Sequence, residues 1–262
     1  MSVITGVVLV ASSALYAKGV RTLWRQAGRG QGIRWWEVVA FAAAVLSLAV
    51  ALLSPLATAS GRLFSAHMTQ HELLMLVAAP LIAMSQAGVA YLWAFRMSAR
   101  RSIGSGIHSI GWHHLTSPFT AFVLHALALW LWHIPVLYEA AMANQWVHGL
   151  QHLSFFATAA IFWWGMVHGR YGRAGYGVAV FYVFLTAMHS SILGALATVA
   201  DRVWYPTYAQ SVQGRPDPLA DQQLAGLIMW IPSGVIFILV GLALLAAWLG
   251  ESERRVRMTH IP

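Results

Sequence analysis

Cysteine is absent from the 262-residue chain, and charged side chains are scarce. The absence of cysteine excludes disulfides and thiolate metal sites, so a soft metal would have to use histidine or methionine ligands. Charged residues make up 9% of the chain, whereas a soluble domain carries about 25%. Hydrophobic residues make up 59%, and this composition indicates an integral membrane protein rather than a soluble one with a large core.

Long apolar runs fill most of the sequence and leave no room for a separate soluble domain. A helix that crosses a bilayer needs about 20 mostly apolar residues, and seven runs approach or exceed this length. We therefore predict an all-α polytopic membrane protein, with a single seven-helix transmembrane domain over residues 1–262 and a short basic tail at 250–262. The predicted spans lie near residues 2–18, 36–58, 66–95, 119–142, 147–168, 177–200 and 222–249.

The distribution of basic residues predicts the orientation of the bundle. Thirteen of the 16 lysines and arginines fall on one side of it, in the loops 18–35, 96–118 and 169–176 and in the tail. The other side has Arg62, Arg202 and Arg215. Short basic loops stay in the cytoplasm, so we predict the N-terminus outside and the C-terminus inside. The net charge of +8 then reflects the basic loops that set the orientation, and no nucleic-acid partner is expected. The partner of these loops is the lipid bilayer, whose anionic headgroups they face.

A His-x-x-Gln-His frame occurs twice, as HMTQH at 67–71 and HGLQH at 148–152, each time at the head of an apolar run. Two such pairs in a chain with 12 histidines are weak signals by themselves. In the predicted topology, however, both pairs lie at the outer ends of their spans, and His133 lies at a depth similar to that of His152. Residues four apart share a helix face, so each pair can offer two nitrogens to one ion.

These histidines predict a metal site near the outer membrane face. Ionisable residues inside a membrane usually face the bundle interior and serve a function, and neutral imidazole is a common ligand of copper, zinc, iron and nickel. Asp221 opens the seventh span on the same side, either as a ligand or as the N-cap of that span. The predicted ligands are His67, His71, His133, His148, His152 and Asp221. A purely structural hydrogen-bonded network is the alternative.

Other side chains at the depth of the predicted metal site have two possible roles each. Gln70 and Gln151 can orient the imidazole rings or tie helices together. The methionines at the same level are packing residues or soft thioether ligands, which favour Cu(I); they are Met68, Met75, Met142 and Met229. Glu72 and Glu139 are expected to face water. His125 and His189 lie nearer mid-membrane, as buried histidines with satisfied partners or as an inner metal or haem position.

Three stretches of this sequence resemble cytochrome c oxidase assembly factors of the CtaG type, which are seven-span bacterial membrane proteins. The stretches are AHMTQHELLMLVAAPLIAMS (66–85), LWHIPVLYEAAMANQWVHGLQHLSFFATAAIFWW (131–164) and DQQLAGLIMWIPSG (221–234). The resemblance carries the family's histidine pairs onto His67/His71 and His148/His152, its Trp-His-x-Pro onto 132–135 and its Asp-Gln-Gln onto 221–223. His189 departs from the family pattern and receives no role from it.

The resemblance implies a non-enzymatic role in the maturation of a haem–copper oxidase, in the bacterial cytoplasmic (inner) membrane. It implies that the protein supplies or relays copper, with oxidase subunits or other copper chaperones as partners. Two alternatives stay open: a membrane cytochrome with haem between opposing histidines, and a copper transporter. Two histidines one turn apart suit a small ion better than the two axial positions of one haem. A di-iron oxidase ranks lowest, because its histidine clusters face the cytoplasm.

Overall fold

The computed structural model of the chain describes residues 2–109, 111–168, 175–209 and 217–259, and across these residues it is helical without strands. The α-helices are α1 (Ser2–Ala27), α2 (Trp35–Leu53), α3 (Pro55–Ala59), α4 (Phe64–Glu72), α5 (Ala79–Met84), α6 (Ala87–Trp93), α7 (Met97–Ser109), α8 (Trp112–Leu115), α9 (Pro118–Trp132), α10 (Pro135–Ala143), α11 (Gln145–His168), α12 (Gly175–Thr198) and α13 (Pro218–Thr259). A π-helix, Leu73–Ala78, joins α4 to α5, and a 3₁₀ turn spans Pro206–Tyr208. The all-α prediction is confirmed.

Five helices in the described part of the chain are long and apolar enough to cross a membrane by themselves. They are Val3–Ala27, Trp35–Ala59, Gln145–His168, Tyr176–Thr198 and Pro218–Gly250. Two helix pairs have the same apolar character together but are bent: Phe64–Met84 meets Ala87–Trp93 at 53°, and Pro118–Trp132 meets Pro135–Ala143 at 75°. The number of spans is seven if each bent pair crosses once. The predicted orientation stays a prediction, and Arg170, Arg173 and Arg215 lie outside the described residues.

The predicted end of the first span was wrong. Helix α1 continues to Ala27 rather than ending near residue 18, because Tyr16, Val20 and Leu23 form an apolar stripe that is buried against α2 and α6. The chain leaves α1 at Gly28, whose φ of +96° suits glycine alone among the common residues. At the other end, α13 continues as a helix to Thr259, through most of the segment predicted as a basic tail.

Both bends have local causes. Pro135 cannot continue the hydrogen-bond ladder of α9, and Ile134 before it is extended, so the helix stops with His133 at its C-terminus. The third span turns at Gln86, which has a left-handed φ of 54°. Within the same span, the π-helix begins immediately after Glu72, and π-helical turns are frequent at functional sites.

Close helix contacts fix the bundle on both sides of the π-helix. The Leu73 carbonyl accepts a hydrogen bond from Ser47 Oγ on α2 (3.3 Å), and the Met75 carbonyl accepts one from Trp163 Nε1 on α11 (2.9 Å). Helices α12 and α13 pack through Gly194 and Gly226, whose missing side chains allow the backbones to meet. The third span is therefore held in register against its neighbours directly below the histidines.

Candidate metal centre

Five imidazole rings from three segments lie together at the end of the bundle that holds the start of α4 and of α11. Ring centroids are 4.4 Å apart for His67 and His71, 4.3 Å for His148 and His152, and 5.0 Å for His67 and His148. His133 adjoins His71 at 6.3 Å. The two His-x-x-Gln-His frames thus face each other across the α4–α11 contact, as the topology predicted.

Three of these rings are close enough to share one ion. His67, His71 and His152 each offer a ring nitrogen, and these atoms all lie within 4.8 Å of one another. His67 Nε2 and His71 Nε2 are 2.9 Å apart. An ion bound by nitrogens at about 2.0 Å holds them roughly 3.3 to 3.5 Å apart, so a three-coordinate site needs ring rotations that change these separations by up to about 1.5 Å.

The hydrogen bond to Tyr208 sets the tautomer of His67. The Tyr208 hydroxyl donates its single proton to the Ser60 carbonyl, at 2.7 Å, and lies 3.0 Å from His67 Nδ1. Tyr208 must therefore accept from an Nδ1–H group, which leaves the lone pair of a neutral ring on Nε2. That nitrogen faces His71, so the ring is oriented for ligation, as outer hydrogen bonds orient metal-binding histidines generally.

His133 is oriented in the same way by the break in the fourth span. Its Nδ1 lies 2.7 Å from the Leu129 carbonyl, which can only accept, so Nδ1 carries the proton and Nε2 the lone pair. His133 Nε2 is buried and has no hydrogen-bond partner among the residues that the structure describes. The Tyr205 hydroxyl donates to the His133 carbonyl at 2.9 Å, a group that the end of α9 leaves free.

Several ring nitrogens in the cluster lack partners among the described residues. They are His71 Nδ1, His133 Nε2, His148 Nε2 and His152 Nε2. Buried polar atoms are normally hydrogen-bonded, and a cluster of imidazoles whose ring nitrogens lack such partners has the chemistry of a cation site. The donor set therefore fits a metal that prefers imidazole nitrogen.

Asp221 performs a different task from the one predicted. Its carboxylate accepts hydrogen bonds from the backbone N–H groups of Phe64 (2.6 Å) and Ser65 (3.4 Å) and from the Ser65 hydroxyl, at the start of α4. Asp217 caps α13 instead, by accepting from the N–H groups of Leu219 and Ala220, so the prediction that Asp221 caps its own span was wrong. Asp221 is not in the group of converging ligand atoms, and its ligand role stays a prediction.

The two glutamines of the repeated frame differ. Gln70 Nε2 donates to the Ala51 carbonyl of α2 at 2.5 Å, which favours the helix-tying interpretation for this residue. Gln151 is fully buried beside His67, and within the described part of the structure its amide makes no hydrogen bond of good geometry. Met68, Met75 and Met229 pack in the apolar core, whereas Met142 Sδ lies 3.6 Å from the Tyr208 hydroxyl at the edge of the cluster.

Aromatic side chains cover the cluster, and sequence patterns did not single them out. Tyr138 stacks on Tyr205 at 4.0 Å, and Phe64 lies against both. Burial raises the pKa of Tyr205 and Tyr208 in the loop above the usual tyrosine value, so both hydroxyls stay protonated and can donate. Glu139 holds this loop by accepting from the Thr207 N–H (3.2 Å) and hydroxyl (2.6 Å).

The remaining predicted positions lie outside the cluster. His125 has a satisfied Nδ1, 3.2 Å from Thr158 Oγ1, and this agrees with the interpretation as a buried histidine with a partner. Both ring nitrogens of His189 are buried without a partner among described residues. Glu72 was predicted to face water, but its Oε2 is buried and has no partner within the described ranges, so that prediction was wrong.

Comparison with known proteins places the chain in a family. The sequence profile of the cytochrome c oxidase caa3 assembly factors (Caa3_CtaG) matches residues 14–251. Uncharacterized protein Mb0105 of Mycobacterium bovis and Uncharacterized protein MT0111 of Mycobacterium tuberculosis are each 24% identical over 262 residues. The match covers 96% of this chain but 39% of either relative, so the chain spans about two fifths of their length. No solved structure matches it. The chain belongs to the cytochrome c oxidase caa3 assembly factor family.

Proposed function

We propose that this protein binds copper in the imidazole cluster and passes it to a haem–copper oxidase during assembly of the enzyme. Copper is cargo in this proposal rather than a resident cofactor. The observation that carries the proposal is the convergence of His67, His71 and His152, whose ligand nitrogens lie within 4.8 Å of one another. Membership of an oxidase assembly family supplies the acceptor, because such an enzyme needs copper in its metal centres.

The chemistry of the donors favours copper over other cations. The group of three contains imidazole nitrogen and no carboxylate, which argues against magnesium and calcium. The chain has no cysteine, so no thiolate competes for a soft ion. Met142 Sδ contacts the Tyr208 hydroxyl beside the cluster, and a thioether that joined two or three imidazoles would suit Cu(I) better than zinc.

The crowding of the rings argues against haem. Besides its partner one turn away, His67 has the rings of His148 and His152 at centroid distances of 5.0 and 5.8 Å, and His71 has those of His152 and His133 at 5.2 and 6.3 Å. A haem held by two axial histidines needs a flat space many ångströms wide between the two rings. Here other imidazoles occupy that space, whereas a single ion fits between ring edges.

The burial of the ligands supports transfer by ligand exchange. His67 and His71 are buried, with 0% and 2% of their surfaces exposed, whereas His148 and His152 are half-buried. An ion can therefore be approached from the α11 side, first through His148 and then through the inner rings. Because the converging group has three ligand nitrogens among the described residues, an incoming ligand from a partner can replace one of them without prior dissociation of the ion.

We also propose the finer topology: seven spans in a bacterial inner membrane, the N-terminus outside and the cluster near the outer face. The two bent pairs then count as one span each. The concentration of arginine and lysine on the opposite side supports this orientation. Copper delivered from this position reaches oxidase sites that face the same side.

Metal analysis of purified protein tests the proposal. Wild-type protein in mild detergent is loaded with Cu(I), freed of unbound ion and analysed for copper, zinc and iron. We expect about one copper per chain, by the single convergent site. The double variant His71→Ala/His152→Ala should lose it, whereas the matched control His113→Ala/His114→Ala, in the exposed α8, should retain it.

Equal copper content in the two double variants would overturn the proposed ligands. A Soret absorption band in protein purified without added metal would instead support the cytochrome alternative. Relay and transport are separated by reconstitution into sealed liposomes: the relay predicts no copper flux across the bilayer, and a copper-dependent flux that the His71→Ala/His152→Ala variant abolishes would favour the transporter.

A further inference from the structure

A pocket whose chemistry differs from that of the imidazole cluster lies at the C-terminal end of α1. Its volume is about 390 Å³, and its walls are Arg21, Trp24, Arg25, Arg29 and Trp35. None of these residues belongs to the imidazole cluster or contacts it. The pocket combines three guanidinium groups with two indole rings, and this composition selects an anion with an apolar part.

The pocket is built from the turn that joins α1 to α2. Arg21 and Arg25 are four residues apart and therefore share one face of α1. Gly28, with its positive φ, ends that helix and turns the chain so that Arg29 lines the same pocket. The Trp24 indole donates to the Ile33 carbonyl at 2.9 Å and packs on Trp35 at a ring distance of 4.4 Å.

The three arginines lack a counter-charge within the described part of the chain. No carboxylate lines the pocket, and no ion pair involves Arg21, Arg25 or Arg29 there. The nearby Glu37 is buried, and its Oε2 accepts from the Arg34 N–H at 2.6 Å. Guanidinium groups brought together without an acid repel one another, so a bound anion would stabilise the arrangement. Arginine binds phosphate oxygens through paired N–H donors.

We propose that this pocket binds the phosphate headgroup of an anionic membrane phospholipid. The pocket lies where two adjacent apolar helices meet, since Val3–Ala27 and Trp35–Ala59 both have the length and composition of membrane spans. Trp35 and Trp36 begin the second of these helices with 60% and 46% of their surfaces exposed. Exposed tryptophan is typical of the headgroup region of a membrane, so a lipid phosphate lies at the level of the arginines. The volume is within the usual range for small-molecule sites.

This proposal does not rest on copper binding, and the two can fail separately. Its test is the binding of defined lipids to the full chain, purified in an uncharged detergent and followed by native mass spectrometry. The probes are phosphatidylglycerol, phosphatidylcholine and inorganic phosphate. We expect wild-type protein to retain one phosphatidylglycerol more tightly than phosphatidylcholine, and millimolar inorganic phosphate not to displace it.

The variant Arg21→Gln/Arg25→Gln should weaken phosphatidylglycerol binding about thirtyfold, since each basic residue near anionic lipid contributes about fivefold. The matched control, Arg96→Gln/Arg101→Gln, removes two exposed arginines outside the pocket and should leave binding unchanged. The Arg21→Lys/Arg25→Lys variant keeps the charge but loses the paired donors, and should bind with intermediate affinity. If Arg21→Gln/Arg25→Gln does not fold, Arg29→Gln alone should show the fivefold loss.

Three results would overturn the proposal. Equal affinity for phosphatidylglycerol and phosphatidylcholine would remove the role of the headgroup charge. Equal weakening by the pocket variant and by the control variant would remove the specificity of the pocket. Displacement of the lipid by inorganic phosphate alone, or stabilisation of the protein by phosphate that depends on Arg21 and Arg25, would identify a site for the free anion instead.

Discussion

Replacement of Tyr208 by phenylalanine tests whether the cluster is oriented for metal binding or is only a packed group of rings. The change removes one oxygen atom and keeps the aromatic ring. That oxygen lies 3.0 Å from His67 Nδ1 and donates to the Ser60 carbonyl at 2.7 Å. Without it, His67 has no acceptor for its Nδ1 proton and is free to change tautomer, which would move the proton to the nitrogen that faces the ion.

Two effects of different size follow from this geometry. Loss of an outer hydrogen bond to a metal-binding histidine typically lowers metal affinity by about 10- to 100-fold, which corresponds to about 1.4 to 2.7 kcal/mol. The folded protein also loses stability, because His67 Nδ1 and the Ser60 carbonyl become buried groups without partners. Each such group costs about 1 to 3 kcal/mol.

The assay is a competition between the protein and a chromophoric Cu(I) chelator, combined with thermal unfolding of the copper-free protein. Tyr138→Phe is the matched control, because it removes the same atom from a neighbouring ring whose hydroxyl makes only a 3.4 Å contact with Tyr208. We expect Tyr208→Phe to weaken copper binding at least about tenfold relative to Tyr138→Phe. If the two variants bind copper equally well while Tyr208→Phe is the less stable, the Tyr208 hydrogen bond serves packing alone and does not orient His67 for the ion.

Three further predictions concern the scaffold. Asp221→Ala should destabilise the protein by about 1 to 3 kcal/mol, because it removes three hydrogen bonds from the start of α4. The exposed cap variant Asp217→Ala should destabilise it less. If Asp221→Ala abolished copper binding without loss of stability, Asp221 would be a ligand after all. Gly226→Ala should lower the melting temperature, since a Cβ would lie 2.4 Å from Thr198 Oγ1 and 2.5 Å from the Gly194 carbonyl. In the control variant Gly88→Ala, the added Cβ meets nothing within 4 Å and should be tolerated. Equal melting temperatures of the two variants would contradict the close α12–α13 contact. The chain has no cysteine, so Ala143→Cys and Ser105→Cys each give a single labelling site. A maleimide that cannot cross the membrane, added to intact cells, should label the cysteine at 143 and not the one at 105. The reverse labelling pattern would invert the proposed topology.

The sequence predicted the elements of the cluster better than it predicted how they are held. The repeated spacing of histidines at i and i+4, together with the order of spans, was enough to bring His67, His71, His148 and His152 to one end of the bundle. This inference needs only helical periodicity and approximate span boundaries, which depend on composition. The dipeptide Ile134-Pro135 also indicates a helix break after His133, because a residue before proline disfavours the helical conformation. The fourth span was nevertheless predicted as continuous.

The supporting contacts could not be predicted, because they join residues far apart in the chain. Asp221 reaches the N–H of Phe64 across 157 positions, and Tyr208 reaches His67 across 141. Local rules predict that a carboxylate at the start of a helix caps that same helix, as was predicted for Asp221 and α13. In the structure Asp217, four residues earlier, is the cap of α13. The left-handed conformation of Gln86 has no sequence signal either, since glycine or asparagine is the usual residue there.

The two His-x-x-Gln-His frames have identical sequence spacing but different surroundings, and this difference gives the cluster a direction. In the first frame, Tyr208 fixes the tautomer of His67, Asp221 fixes the start of the helix, and the π-helix that follows is held by α2 and α11. The second frame lies within one uninterrupted α-helix, its two histidines are half-buried rather than fully buried, and His148 Nε2 has no partner in the described structure. An ion would therefore lose its contacts to the second frame first, because those side chains are less constrained and more accessible. Transfer to a partner should proceed through His148 and His152, while His67 and His71 hold the ion until the new ligand is in place.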